Sequence, residues 1–260
     1  MGVRHASDTS KAGSVVRREL DFFAHGERIT GVLNVPGQHS GPVPIVVISP
    51  GWDVRQDSVV PVFAEAGLAT FVYPPVRASG SHLLLRRLRA AIARLRGEDD
   101  VDGDRLGVLG IGPMAGAVAL LAAADDPWIR AVSVRDAVLE GSAWLRQCSG
   151  LGERDWEKLL VDVQNRLRAR TLDNTGGTVV MATGTGPSML DAPIEIDLGT
   201  FDHVLRLRTS AHLARIPADA LYMTTSSTSA CSEEEITRAT CTWFLQSLRL
   251  VNFDVLSESL

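Results

Sequence analysis

The sequence predicts an α/β domain built on a mainly parallel central sheet with helices on both faces and an inserted helical cap. Three observations predict it. Short apolar runs read as strands: 45 to 51, bounded by Pro44 and Gly51, and 69 to 74 as strands buried on both faces, 106 to 110 and 131 to 134 as further short strands. Helical patterns separate them, so the order is repeatedly strand, helix, strand, which requires right-handed crossovers. The chain of 260 residues, 45% hydrophobic, is large enough to bury such a core as one domain.

Residues 1–14 are polar and small and read as a disordered tail, leaving 15–260 as the domain. ELDFFAHGERITGVLNVPG reads as an antiparallel hairpin around His25-Gly26-Glu27. DSVVPVFAEAGL is a short helix closed by Gly67. Leu84, Leu88, Ile92 and Leu95 recur at helical spacing in an amphipathic crossover helix that ends at Gly97. A small-residue helix, AGAVALLAAADD, follows the 106–110 strand. About residues 137 to 177 break the rhythm with a charged helix whose Trp156, Leu160, Val163 and Leu167 form one apolar stripe, and this is the expected cap. TVVMATG adds a strand of undecided placement. The alternation then returns with a strand at 193–199, a helix around TSAHLARI, the strand ALYMTT and a last helix opened by Ser232 with Glu235 in capping-box register.

A net charge of −5 with no cationic helix stripe gives no reason to expect nucleic acid. No run approaches the roughly 18 apolar residues of a membrane span, no secretory leader opens the chain, and the scattered Cys148, Cys231 and Cys241 fit a reducing cytoplasm. No pattern calls for a metal or another cofactor.

Several landmarks, in order, resemble the α/β-hydrolase superfamily, especially its dienelactone-hydrolase-like and small-esterase branches, over roughly residues 15 to 249. SPGW at 49–52 sits where that family has His-Gly in its oxyanion loop. PVRASG at 75–80 lies over Asp-x-Arg-Gly-x-Gly, keeping Arg77 and Gly80. VDGDRLGVLG resembles the approach to the nucleophile strand, and DAPIEIDLGTFD resembles the segment ending in Gly-x-x-Asp, whose last residue, here Asp202, is often the triad acid. Where the family shows Gly-x-Ser-x-Gly, this chain reads Gly110-Ile111-Gly112-Pro113-Met114-Ala115-Gly116. Alignment from the strand puts Gly112 in the serine's place, and alignment from the helix puts Met114 there; neither carries a nucleophile. The loop expected to carry the triad histidine reads SSTSACS. The resemblance therefore implies a degenerate triad.

The candidate catalytic residues are His203 and Asp202, expected at the carboxyl end of a strand, then His82 and His25. Asp202 alternatively serves only to hold loop amides, and His25 reads equally as a solvated turn residue. Candidate substrate-binding residues are Arg77, Asp53, Trp52, Gly112 and Met114. An arginine at 77 suits an anionic group, while Asp53 opposes acyl transfer by repelling an oxyanion, or else caps the next helix. His5, His39 and His212 carry no expected chemistry.

The resemblance and these residues imply a small, anionic substrate and a non-hydrolytic enzyme: a lyase or eliminase, acetate elimination included, or a cyclase, acting on an acidic metabolite in bacterial natural-product biosynthesis. A catalytically dead hydrolase kept for binding or scaffolding, and a hydrolase with an Asp202–His203 dyad, are the alternatives.

Overall fold

The computed structural model describes residues 15–49, 59–75, 81–173, 177–181, 194–224 and 232–249. Strands β1 (Val15–Ala24) and β2 (Glu27–Pro36) form the expected hairpin, with Leu20, Phe22 and Ala24 turned inward. They are followed by β3 (Val43–Ser49), α1 (Val59–Glu65), β4 (Ala69–Val72), α2 (Ser81–Leu95), β5 (Val101–Ile111), α3 (Pro113–Asp125) and β6 (Ile129–Arg135). After an excursion the chain returns as β9 (Leu221–Thr224) and ends its described part in α7 (Glu233–Arg249). The main sheet runs β1-β2-β4-β3-β5-β6-β9; β2 is antiparallel to both β1 and β4, and the remaining neighbours pair in parallel.

Two apolar layers clothe the sheet. On one face, Leu84, Leu88, Ile92 and Leu95 of α2 and the apolar α3 pack on Ile45, Val47, Phe71, Val108 and Val132. On the other, Phe63 of α1 and Phe244 and Leu248 of α7 pack on Val46, Ile48, Leu109 and Ala131. Phe244 lies so close to β5 that a Cβ on Gly107 would come within 2.6 Å of its ring. Glycine is what allows this close approach.

The excursion between β6 and β9 differs from the sequence expectation in extent and in kind. It contains α4 (Gly141–Ser149), α5 (Glu153–Asp173), β7 (Thr178–Met181), β8 (Ile194–Asp197), α6 (Leu198–Leu205) and two 3-10 turns at Thr209–Arg215 and Ala218–Ala220. The 194–197 strand was expected in the main sheet; instead β7 and β8 pair antiparallel as a separate two-stranded sheet. The short alternating run Ile194–Asp197 has strand character but carries no information about its partner. TSAHLARI, expected as an α-helix, is 3-10.

Asp202 and His203 are consequently not at the end of a strand. Both lie inside α6, which begins immediately after β8 because Asp197 caps it, accepting the amides of Gly199 and Thr200 at 2.9 and 3.1 Å. Phe201 of α6 meets Trp156 of α5 at 6.4 Å between ring centres, and Gly141 of α4 lies against the Val204 carbonyl, so α4, α5 and α6 form one packed unit.

Candidate active site

Ligands of open parallel sheets bind beyond the carboxyl ends of the strands. Here that edge is formed by Ser49, Tyr73, Ile111, Arg135 and Thr224. Beyond β5 the chain makes one sharp turn into α3. Gly112 stands at its apex with φ 93° and ψ 171°, a backbone that L side chains rarely adopt, and Pro113 opens the helix. The Gly112 amide donates to Arg135 O (2.9 Å), and Val138 N donates to Pro113 O (3.0 Å), so the turn is tied to β6 on both sides. Met114 is buried in the core beneath α3. The two sequence alignments are thus separated by conformation: Gly112 is the exposed-edge position, and Met114 is a core residue.

Next to Gly112 stands Asp136, which the sequence reading passed over. It follows β6 directly, is half buried, and holds φ 57°, with its amide bonded to Thr224 O at 3.0 Å. Aspartate tolerates the left-handed region better than most residues, which suits it to this corner. The signal in the sequence was the polar Arg135-Asp136 pair immediately after an apolar strand.

The structure brings two of the four candidate catalytic residues into direct contact. His82, in the first turn of α2, and His203, in α6, meet edge to face at 5.1 Å between ring centres. Burial lowers the His203 pKa below the usual histidine value, the neighbouring His82 lowers it further, and Asp202 opposes both. The neutral form of His203 is therefore favoured. Asp202 itself gives its carboxylate to Arg206, whose Nε lies 3.0 and 2.9 Å from the two oxygens, an i,i+4 pair on the same helix. Asp197 is the better-held carboxylate of this segment: burial raises its pKa, but hydrogen bonds from Thr200 and Gly199, with Arg170 nearby, more than offset this and hold it low.

His25 sits in the β1–β2 turn at φ 57°, exposed, and its ring accepts from Arg86 of α2. Because β2 is antiparallel to β4, this turn also lies towards the carboxyl edge. Arg77, Asp53, Trp52, Gly80 and Cys231 fall outside the described residues. Among the described residues no three histidine, cysteine or acidic side chains group as a metal site, and no helix is long and apolar enough to cross a membrane.

No family model matches the sequence, and no curated protein matches it. Solved structures do. The α/β hydrolase GrgF from Penicillium sp. sh18 superposes with a TM-score of 0.65 at 14% identity, covering 90% of this chain and 99% of its own. The fold is that of the α/β hydrolases. DcsB, solved with a substrate analogue, matches this hydrolase fold with a TM-score of 0.68 at 12% identity over 90% of this chain and 100% of its own. Est1E from Butyrivibrio proteoclasticus matches with 0.61 at 15% identity over 89% and 99%. The hydrolase fold is thus spanned along nearly its whole length, and the strand-to-helix turn at Gly112 belongs to its central strand.

Proposed function

We propose that this chain is an enzyme that uses the α/β-hydrolase fold without a serine nucleophile, as a lyase of the eliminating type or a cyclase, on a small acidic metabolite of bacterial natural-product biosynthesis. The observation that carries the reading is the half-buried His203 in ring contact with His82, a setting that favours its neutral form. A neutral imidazole is a base, and burial beside a second histidine favours that form. Two further facts support the reading. The turn residue Gly112 offers no nucleophile, and no serine, threonine or cysteine occurs from 110 to 116. Asp202 is engaged by Arg206, which argues against an Asp202–His203 hydrolytic dyad. The substrate-analogue complex of DcsB fits a small-molecule ligand for this fold.

In the proposed elimination, His203 removes a proton made acidic by a neighbouring carbonyl. The C–H electron pair becomes the new C=C bond, and the C–O bond to the leaving group breaks with its electrons on a carboxylate such as acetate. The imidazolium then returns its proton to solvent. His82 holds the His203 ring in place, and Gly112 leaves the space above the central strand to substrate.

The test is to incubate the protein with acetylated acidic intermediates and to follow acetate release together with alkene formation. Replacement of His203 by alanine is expected to cut turnover about 10²- to 10⁴-fold, the usual contribution of a general base. Unchanged turnover in His203→Ala, His82→Ala and His25→Ala would remove the histidine base, and no turnover of any such substrate would favour a binding role. Fluorophosphonates are expected to leave the protein unlabelled. Gly112→Ser should not create an esterase, because the added hydroxyl has no base placed against it by a triad.

A further inference from the structure

Below the edge, on the α2 face of the sheet, three polar side chains converge in otherwise apolar surroundings. Side chains alternate along a strand, so Ser49 continues the inward row Val43, Ile45, Val47, and Tyr73 continues Ala69, Phe71. The register Ile48↔Val72 sets Ser49 beside Tyr73. Arg87 interrupts the buried stripe of α2 between Leu84 and Leu88. Ser49 is 1% exposed, Tyr73 3% and Arg87 7%.

This cluster is incompletely satisfied. Arg87 Nη2 reaches Glu27 Oε2 at 2.5 Å, but Glu27 is 58% exposed and draws off only one end of the guanidinium. Arg87 Nε is buried without a hydrogen-bond partner, and Ser49 Oγ has no well-aligned partner beyond the Tyr73 hydroxyl beside it. Buried unpaired groups are costly and uncommon, and each calls for an explanation. Burial raises the Tyr73 pKa; the nearby Ser49 hydroxyl and the Arg87 charge offset part of this without reversing it. Tyr73 therefore remains a phenol, a donor, held in place by Phe22 at 5.6 Å and Phe71 at 6.1 Å between ring centres.

Every group here can donate, one is a permanent cation, and the place is the carboxyl edge of parallel strands. The complement of such a set is an acceptor bearing negative charge. We propose that Ser49, Tyr73 and Arg87 form a carboxylate-binding site, which takes the acid group of the substrate and gives to Arg87 the anchoring role that the sequence assigned to Arg77. The inference deepens the reading of the protein as an enzyme for an acidic metabolite but is tested by binding alone.

The chain has two tyrosines, Tyr73 and Tyr222. Tyr222 stacks on Trp243 at 5.5 Å, on β9, and serves as an internal control. With tyrosine labelled at Cζ with ¹³C, and signals assigned by Tyr73→Phe, titration with acetate and then benzoate should shift the Tyr73 signal and leave Tyr222 in place, whereas chloride at equal ionic strength should do neither. Arg87→Gln should weaken the response at least about tenfold, as loss of a charge-assisted contact does. Ser49→Ala should weaken it less, and Glu27→Gln should strengthen it, because Arg87 is then no longer shared. If Arg87→Gln does not fold, Arg87→Lys, which keeps the charge and loses Nε, carries the same test. No Tyr73 shift with either carboxylate, a shift equalled by chloride, or a shift unchanged in the Arg87 variants overturns the site. Carboxylate binding in a protein that eliminates nothing would leave the site standing and remove the lyase reading instead.

Discussion

His203 couples the proposed chemistry to stability through one proton. Its folded-state pKa is lowered, first by burial and then by His82, so the unfolded chain binds this proton more readily than the native one. Stability is unaffected above the unfolded value of about 6.5 and falls as the pH drops through and below it. His203→Gln, which cannot take up the proton, is expected to flatten this acid limb, and thermal melts of both proteins between pH 8 and 5 would show it. An equal slope in the variant would mean that His203 is not the group responsible. At this scale the sequence was a partial guide. His82 and His203 were legible as candidates because histidines near an expected edge are few, but their contact was not, since it joins residues from distant segments through a helix read as a strand. Asp136, Ser49, Tyr73 and Arg87 were missed for a simple reason: each looks ordinary until strand alternation and helix phase place it.

Helices and strands show which local rules carried over. The capping box is present: Glu235 accepts from the Ser232 amide at 2.6 Å, and Ser232 Oγ accepts from the Glu235 amide at 3.3 Å. Ser232→Ala should cost about 1 kcal/mol by urea unfolding. The close approach at β5 makes a larger prediction, because Gly107→Ala drives a methyl into the Phe244 ring; overpacking of this kind costs about 1–3 kcal/mol, and an additional Phe244→Leu change should recover part of the loss. Gly141→Ala should be worse than either, since its Cβ would meet the Val204 carbonyl at 1.7 Å and a backbone cannot rotate away as a ring can. The misread element, 193–202, held its own correction in the sequence: Asp197 followed by Leu198-Gly199-Thr200 is an N-cap signal. Ile194 and Ile196 just before it carry the competing strand signal.

Across the whole molecule, the parallel sheet with both faces covered was readable because runs buried on both sides leave no polar alternation. The excursion was harder to bound. Its helices announced themselves by amphipathic stripes, whereas its short hairpin imitates a sheet strand, so the main sheet appeared to resume earlier than it does. The result is a body of seven strands carrying α4, α5, β7, β8 and α6 as a single insertion before β9. His203 on the insertion and His82 on the body are the residues through which the proposed chemistry spans the two.

The turn at Gly112 has a consequence for engineering. Its shape is fixed by main-chain bonds from Gly112 N to Arg135 O, Asp136 N to Thr224 O and Val138 N to Pro113 O, none of which depends on the identity of a side chain. The corner can accordingly be tested as a socket: a cysteine installed at Gly112, at a backbone cost of about 1–3 kcal/mol for a conformation that glycine alone adopts readily, would stand at the carboxyl end of the central strand as an attachment point for synthetic cofactors.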